Sequence, residues 1–183
     1  MEKKKSANIY EIDNRIVDYF KVLNTSDANI LGVDTALIME DPPLFKSHLC
    51  DMPNQSSRHR LFFVKKGNAH MSVNFTDYIL QEGDLILIPS NFIVQFNHRS
   101  PDFDMKVFLF KFNTGEEHRL MVADTVKVGT GTLDHSVVDL YFSLAQQLLS
   151  HPIADKRDVA FLVVSLLHRL QCLFYRFPVA LVK

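Results

Sequence analysis

The stretch that decides the fold is Tyr78-Ile79-Leu80-Gln81-Glu82-Gly83-Asp84-Leu85-Ile86-Leu87-Ile88-Pro89. A short strand ends here in a Glu-Gly-Asp turn, where Gly83 can take a positive φ and Asp84 can hydrogen-bond nearby backbone amides. The apolar run that follows is too short for a buried helix and is typical of a strand covered on both faces. Pro89 cannot donate to a ladder, so it ends that strand. The stretch indicates the centre of a small β-barrel.

Short apolar runs separated by turn residues continue on both sides of this centre. The pattern predicts further strands over 34–39, 44–49, 59–65, 69–75, 92–98 and 105–112. It predicts a polar loop over 52–57, a hairpin turn at 66–68 and a turn at 76–77. Short strands at this spacing favour a sandwich or closed barrel over a sheet of βαβ units.

The apolar period changes from strand-like to helical after Asn113. Asp134 is a good N-cap for a first helix, and Ser150-His151-Pro152 ends it. A second helix is predicted from near Asp155, and its apolar stripe extends almost all round, so something must cover it. Packing on its own barrel is one possibility. The other is a dimer interface, for which we expect Leu162, Leu166, Leu170, Leu173 and Phe174.

These patterns divide the chain into three parts. Residues 1–30 form an N-terminal arm or a short amphipathic helix, because apolar residues recur there at helical spacing. Residues 31–120 form the barrel, and residues 121–183 form a helical dimerisation segment. The predicted fold class is therefore mostly β, a jelly-roll barrel followed by two α-helices.

Composition limits the class of partner. The 183 residues carry a formal net charge of -1, which gives no general attraction to nucleic acid or to an anionic membrane. Fifteen Phe and no Trp predict an aromatic interior. Cys50 and Cys172 fit no metal or redox spacing and suit a reducing cytoplasm. The basic N-terminus lacks the apolar core of a signal peptide, and the longest apolar run, 159–164, is far shorter than a membrane span.

Three motifs resemble the cupin-like ligand-binding domain of AraC-type transcription regulators. Phe63-Val64-Lys65-Lys66-Gly67 resembles that family's strand ending in Lys-Gly, and Val73-Asn74-Phe75-Thr76-Asp77-Tyr78 resembles its apolar-polar-Phe-x-acidic-Tyr turn. Gly83 to Pro89 resembles its Gly-Asp strand. The resemblance covers 44–112, whereas the helices agree in order and position only.

The resemblance implies a sensing domain that dimerises and acts through a double helix-turn-helix DNA-binding domain. In the family that domain follows the helical segment, so we expect it beyond Lys183. The end of the chain after Arg176-Phe177-Pro178 favours an excised domain, and a free-standing relative is the alternative.

Cupin enzymes bind Fe, Mn or Zn through a His-x-His pair, an acidic residue and a later His. Such ligands must lie on alternate strand positions to converge on one ion. Counting back from Gly67, the second His and the acid would fall at Ser56 and Arg60, and counting forward from Pro89, the later His would fall at Val94. His59 lies on the opposite face, and His48 and His98 are interpreted as surface or core-edge histidines. We therefore predict a metal-free barrel with no cofactor.

Alternation along the strands also predicts which side chains face the interior. They are Arg60, Phe62 and Val64 on one strand and Val94, Phe96 and His98 on another. This lining, apolar and aromatic with one cation at its mouth, fits a small ligand with an apolar body and an anionic or hydrogen-bond-accepting group. The alternative is that these side chains simply fill a small barrel.

The predicted function is that of a non-enzymatic, cytoplasmic effector-sensing and dimerisation domain of a bacterial AraC-type regulator. An unknown small-molecule effector would favour one arrangement of barrel, arm and helices. The homodimer would form through the C-terminal helices, and DNA would be contacted only through the attached domain. Two alternatives stay open: a small cupin enzyme, such as an isomerase or dioxygenase, with an unrecognised metal site, and a solid barrel that only dimerises.

Overall fold

A computed structural model describes residues 10–11, 33–38, 52–112, 126–128 and 135–150, and also 158, 161–162, 165–166 and 168–169. These residues form ten strands and a helix with defined ends. The strands are β1 Tyr10–Glu11, β2 Val33–Ile38, β3 Asn54–Gln55, β4 His59–Lys66, β5 Asn68–Val73, β6 Thr76–Gln81, β7 Leu85–Ile88, β8 Val94–Arg99, β9 Asp104–Phe112 and β10 Val126–Val128. The helix is α1, His135–Ser150.

The strands make two five-stranded sheets that face each other. Sheet A has the order β1-β3-β8-β5-β6, and sheet B has the order β10-β7-β4-β9-β2. Every pairing is antiparallel except that of β1 with β3. The architecture is thus mostly β, as predicted.

The space between the sheets is an apolar core built from alternate residues of the strands. Alternation places one set of side chains inward, because successive side chains of a strand point to opposite faces. The buried cluster comprises Phe62, Val64, Ala69, Met71, Val73, Leu80, Ile86, Ile88, Val94, Phe96, Phe103, Met105, Val107 and Leu109.

The outer face of sheet B is buried as well, because α1 packs on it. The Phe142 ring stacks on Phe108 with centroids 4.2 Å apart and on Phe63 at 5.9 Å. Val138 and Ala145 lie buried on the same stripe of the helix. All four residues of β7 are consequently buried, which confirms the prediction of a strand covered on both faces.

The turn between β6 and β7 joins the two sheets. Gly83 has φ +82°, so the turn needs glycine for its backbone, and the ring of His135 in α1 occupies the space that a Cβ would take. Asp84 Oδ2 accepts a hydrogen bond from the Gln81 amide at 2.7 Å and forms an ion pair with Lys127 at 2.9 Å. Lys127 also donates to the Ile79 carbonyl, so β10 of sheet B is tied to β6 of sheet A.

Several boundaries differ from the predicted ones. The second hairpin turns at Asn74 and Phe75, which have φ values of 45° and 69°, and not at 76–77, because the side chain of Asn74 tolerates this conformation. The loop predicted over 52–57 contains β3. Neither β1 nor β10 was predicted, and the predicted strand over 44–49 lies outside the described residues.

Only part of the helical segment is described. The first predicted helix is confirmed as α1, whereas the described residues include no second helix with defined ends. The described residues 158, 161–162, 165–166 and 168–169 are helical, and the rest of the predicted second helix and most of the arm lie outside the described residues. In the part of the chain that the structure describes, no helix is long and apolar enough to span a membrane.

Candidate functional site

Five of the six residues predicted to face the interior do so. Phe62, Val64, Val94 and Phe96 belong to the buried core, and Arg60 is buried on the same face of β4. Phe62 and Phe96 stack across the core, from opposite sheets, with ring centroids 6.1 Å apart. The interior therefore has an aromatic surface. The row of inward-facing side chains on β4 ends in a cation, Arg60.

Arg60 is 1% exposed, and two of the contacts of its guanidinium group are with neutral oxygen atoms. Nη1 donates to Asn54 Oδ1 at 2.8 Å, and Nη2 donates to the Phe92 carbonyl at 2.5 Å. A buried charge needs such hydrogen bonds, because its transfer from water into an apolar interior is costly. Asn54 in turn pairs through its backbone with Val94 in β8 and with Tyr10 in β1.

The loop after Pro89 is held from both faces of β4. His59 Nδ1 accepts a hydrogen bond from the Ser90 amide at 3.2 Å, and the Ser56 carbonyl accepts one from the Asn91 amide at 2.7 Å. Together with the bond from Arg60 to Phe92, these contacts fix three consecutive residues of the loop. The position of Arg60 is therefore linked to the end of β7.

The prediction for His98 was wrong in its direction. A bulge in β8 shifts its register against β5, so that Met71 pairs with Phe96 but His70 pairs with His98. The extra residue turns His98 to the outer, exposed face and brings Arg99 opposite the buried Ala69. The Arg99 guanidinium lies 5.9 Å from the centroid of the Phe96 ring. A second cation, Arg99, thus takes the inward-facing position predicted for His98. It lies at the other end of the row of inward-facing side chains from Arg60.

The positions of the cupin metal ligands lie in the interior near Arg60. Ser56, Arg60 and Val94 are all buried, and none of these residue types suits a metal ion. Over the residues described, no group of three or more His, Cys, Asp or Glu side chains is placed to hold a metal ion.

The residues predicted for a dimer interface are only partly described. Leu166 is 1% exposed in the single chain, so it packs within the monomer, and Leu162 is half-buried. Leu170, Leu173 and Phe174 lie outside the described residues. Large apolar side chains that are exposed on the helical segment are instead Leu140, Leu144 and Phe161.

Sequence patterns did not single out three contacts of this site. Asn54 lies in the short strand β3, within the segment predicted as a polar loop, Phe92 precedes β8 although it was predicted as a strand residue, and Arg99 depends on the bulge. Only the rule that a buried arginine needs oxygen acceptors could have pointed to partners of this kind.

No protein-family model and no curated protein matches the sequence. Among solved structures, apo ToxT K231A from Vibrio cholerae strain SCE256 aligns with a TM-score of 0.50 and 11% identity, over 83% of this chain and 59% of ToxT. ToxT from Vibrio cholerae O395 bound to (E)-4-(8-methylnaphthalen-1-yl)but-3-enoic acid aligns with a TM-score of 0.41 and 12% identity, over 79% and 53%. The ethanolamine utilization protein EutQ of Salmonella typhimurium LT2 gives a TM-score of 0.31 and 14% identity, over 45% and 60%.

The likeness to ToxT, an AraC-family regulator, is a likeness of fold. It shows that the two chains share a fold over the aligned residues. The chain spans 59% of the length of that ToxT structure.

Proposed function

We propose that the chain is the effector-sensing domain of a bacterial AraC-type transcription regulator and that it is not an enzyme. The observation that carries the proposal is Arg60, a cation buried to 1% exposure at the end of an apolar, aromatic barrel interior. A barrel that only needed to be filled would gain more from an apolar side chain at this position, because a buried charge must first lose its hydration. The arginine therefore favours a ligand role over simple packing.

The chemistry of the interior favours an apolar acid as the effector. An anionic group that replaced Asn54 Oδ1 or the Phe92 carbonyl would form a charge-assisted hydrogen bond, about twice as strong as one to a neutral acceptor. An apolar body would lie against Phe62 and Phe96. The related ToxT has been solved with an unsaturated fatty acid bound, which is a ligand of this chemical type.

The contacts of Arg60 also provide a route for the signal. Asn54 joins Arg60 to β1, because its side chain accepts from the guanidinium while its backbone pairs with Tyr10. An effector that replaced Asn54 as the hydrogen-bond acceptor of the Arg60 guanidinium would change the free energy of docking β1 on β3. By linkage, the effector then favours one arrangement of arm, barrel and helices. The change would reach DNA through a helix-turn-helix domain expected beyond Lys183.

Thermal unfolding with a panel of medium-chain, long-chain and aromatic carboxylic acids tests the proposal. An acid at about 100 times its Kd stabilises a one-site protein by about 2.7 kcal/mol. We expect such a shift for at least one acid with the wild type and with Lys66→Met, which removes an exposed cation, but not with Arg60→Met. Arg60→Lys, which keeps the charge but not the planar fork, should retain a weakened response.

Two results would contradict the proposal. One is the absence of a shift with every acid, and the other is an equal shift in Arg60→Met. Stoichiometric Fe, Mn or Zn that is bound by barrel residues would instead support the cupin-enzyme alternative.

A further inference from the structure

We propose that the loop between β7 and β8, residues 90–93, is the gate of the barrel interior and that Phe92 is the residue that moves. When the gate opens, the anionic group of the effector takes the place of the Phe92 carbonyl on Arg60. The apolar body takes the space that the Phe92 ring leaves. The inference rests on the proposed function and extends it from the chemistry of the effector to its place of entry.

The two acceptors that Arg60 contacts are held with different firmness. Asn54 is 4% exposed, and its backbone pairs with Tyr10 in β1 and with Val94 in β8, so its displacement would disturb three strands. Phe92 precedes β8, which begins at Val94, so its carbonyl lies outside the ladder of that strand. The Phe92 carbonyl is therefore the acceptor that an anionic group displaces at the lower cost. Once bound there, the anionic group shares the guanidinium with Asn54, so the link to β1 still responds to it.

The ring of Phe92 closes an interior that is otherwise filled by buried side chains. Phe92 and Tyr78 are partly buried and pack against the core cluster, all of whose members are buried. Tyr78 is held in β6, where it pairs with Met71, whereas Phe92 lies in the gate loop. Its ring can therefore leave the core without breaking a strand, and the space that it vacates belongs to the residue that contacts Arg60.

One peptide group links Arg60 to the neighbouring hairpin. The Phe92 carbonyl and the Ile93 amide belong to the same planar unit. Arg60 Nη2 donates to that carbonyl at 2.5 Å, and the amide donates to Asn74 Oδ1 at 2.8 Å. Loss of the Arg60 contact lets the peptide group rotate, which weakens the bond to Asn74. Hydrogen exchange of the Ile93 amide therefore reports the state of the gate.

The closed gate is held by contacts and not by the preference of its backbone. Among the described residues, the non-glycine residues with positive φ are Asn91, in the gate loop, and Asn74 and Phe75, in the hairpin that is bonded to the loop. Such conformations persist where the surroundings impose them, and they cluster at ligand clamps and switches. The Asn91 amide, for example, donates to the Ser56 carbonyl at 2.7 Å.

Amide exchange measured by NMR on the full chain without any acid tests the closed state. In Arg60→Met, the Ile93 amide should exchange about tenfold faster than in the wild type or more, because a hydrogen bond to a charged group contributes at least that factor. The Ser100 amide, which donates to the Asn68 carbonyl at 2.9 Å, is the matched control and should be unchanged. In the wild type, a bound acid should accelerate exchange at Ile93 relative to Ser100.

Calorimetric titration with decanoate, oleate and 2-naphthoate tests the moving ring. Phe92→Ala removes the ring but keeps the carbonyl that Arg60 contacts. It should bind at least one of these acids about tenfold more tightly than the wild type, because no ring must first leave the core. Tyr78→Ala, which removes the other ring packed against the core, is the control and should not bind more tightly.

The outcomes separate the gate from the proposed function. Equal exchange at Ile93 in Arg60→Met and the wild type would overturn the gate, whatever the acids do. An acid that binds the wild type but leaves exchange at Ile93 unchanged, or binds Phe92→Ala no more tightly, would also overturn the gate while the proposed function stands. If none of the three acids binds either the wild type or Phe92→Ala, the proposed function fails, and the gate fails with it.

Discussion

At the scale of single residues, the turn between β5 and β6 contains a conformational conflict. A type I′ hairpin turn has positive φ at both of its central positions, and here these are Asn74 and Phe75. Asn74 fits, and it is fixed to Ile93 by hydrogen bonds of 2.9 Å from its amide and 2.8 Å to its side chain. Phe75 does not fit, because a left-handed conformation costs a non-glycine residue about 1–2 kcal/mol. Its ring is 94% exposed and offsets little of that cost.

Phe75→Gly should therefore stabilise the chain. Glycine removes the steric cost but adds unfolded-state entropy worth about 0.5–1 kcal/mol, which leaves a net gain of up to about 1.5 kcal/mol. Urea unfolding followed by circular dichroism measures this difference. Phe75→Ala keeps the strained backbone while removing the ring, so it should leave stability nearly unchanged. Equal gains from glycine and alanine would show that the exposed ring, and not the backbone, is unfavourable.

The bulge at Asn97 limits how well the direction of single side chains can be predicted from the sequence. Simple alternation places Arg60, Phe62, Val64, Val94 and Phe96 correctly, because no irregularity interrupts the register up to Phe96. One extra residue then reverses every later side chain of β8. Neither Asn97 nor its neighbours differ in type from an ordinary strand, so the sequence carries no local signal for the reversal that puts Arg99, and not His98, at the interior.

At the scale of elements, the attachment of α1 to sheet B combines apolar stacking with one charged contact. Phe142 stacks on Phe63 and Phe108, while Asp139 Oδ1 accepts from Lys65 and Lys106, each at 2.7 Å. Partial burial raises the pKa of Asp139, but the hydrogen bonds and charges of the two lysines outweigh it, so the pKa lies below its ordinary 3.8. The helix is therefore held partly by an ionised carboxylate.

Asp139→Asn should destabilise the chain by about 1 kcal/mol at pH 7, since two partly exposed ion pairs are each worth about 0.2–1 kcal/mol. A depressed folded pKa means that this stabilisation is present above the unfolded pKa and is lost as pH falls through the folded value. The difference between wild type and variant should thus stay constant above about pH 5 and shrink below about pH 4. Urea unfolding at several pH values measures it.

Asp158→Asn is the control for this prediction, because it removes a carboxylate that is exposed on a helical residue. It should change stability little at any pH. A difference between wild type and Asp139→Asn that persisted unchanged at pH 3 would mean that the carboxylate does not act through its charge.

Long, strongly patterned elements could be predicted, and short ones could not. The pattern identified β2, β4, β7, β9 and α1, and the described side chains of β4, β7, β9 and α1 include a buried apolar set. It missed β1, β3 and β10, which have only two or three residues each and are strands only through pairing with distant neighbours. Within α1, the structure buries Phe142 and Ala145 while exposing Leu140 and Leu144.

At the scale of the whole molecule, the two sheets differ in how they are covered. The outer face of sheet B lies under α1, whereas the outer face of sheet A is polar and carries the Ser72, Asp77 and Asn97 network. Among the described residues, Leu140, Leu144 and Phe161 are exposed on the helical side, and Phe75 and Ile79 are exposed on the side of sheet A. The helical side is the one that the proposed dimerisation through the C-terminal helices would use.

The dimer proposal is best tested at exposed helical positions and not at Leu166. Because Leu166 is 1% exposed, Leu166→Asp would bury a charge and unfold the monomer, which says nothing about an interface. Leu140→Asp, at a side chain that is 64% exposed, should leave the melting temperature nearly unchanged but weaken the dimer in sedimentation equilibrium. Ile79→Asp, equally exposed but on sheet A, is the control. A wild type that sediments as a monomer, or a dimer weakened only by the control, would contradict the proposal.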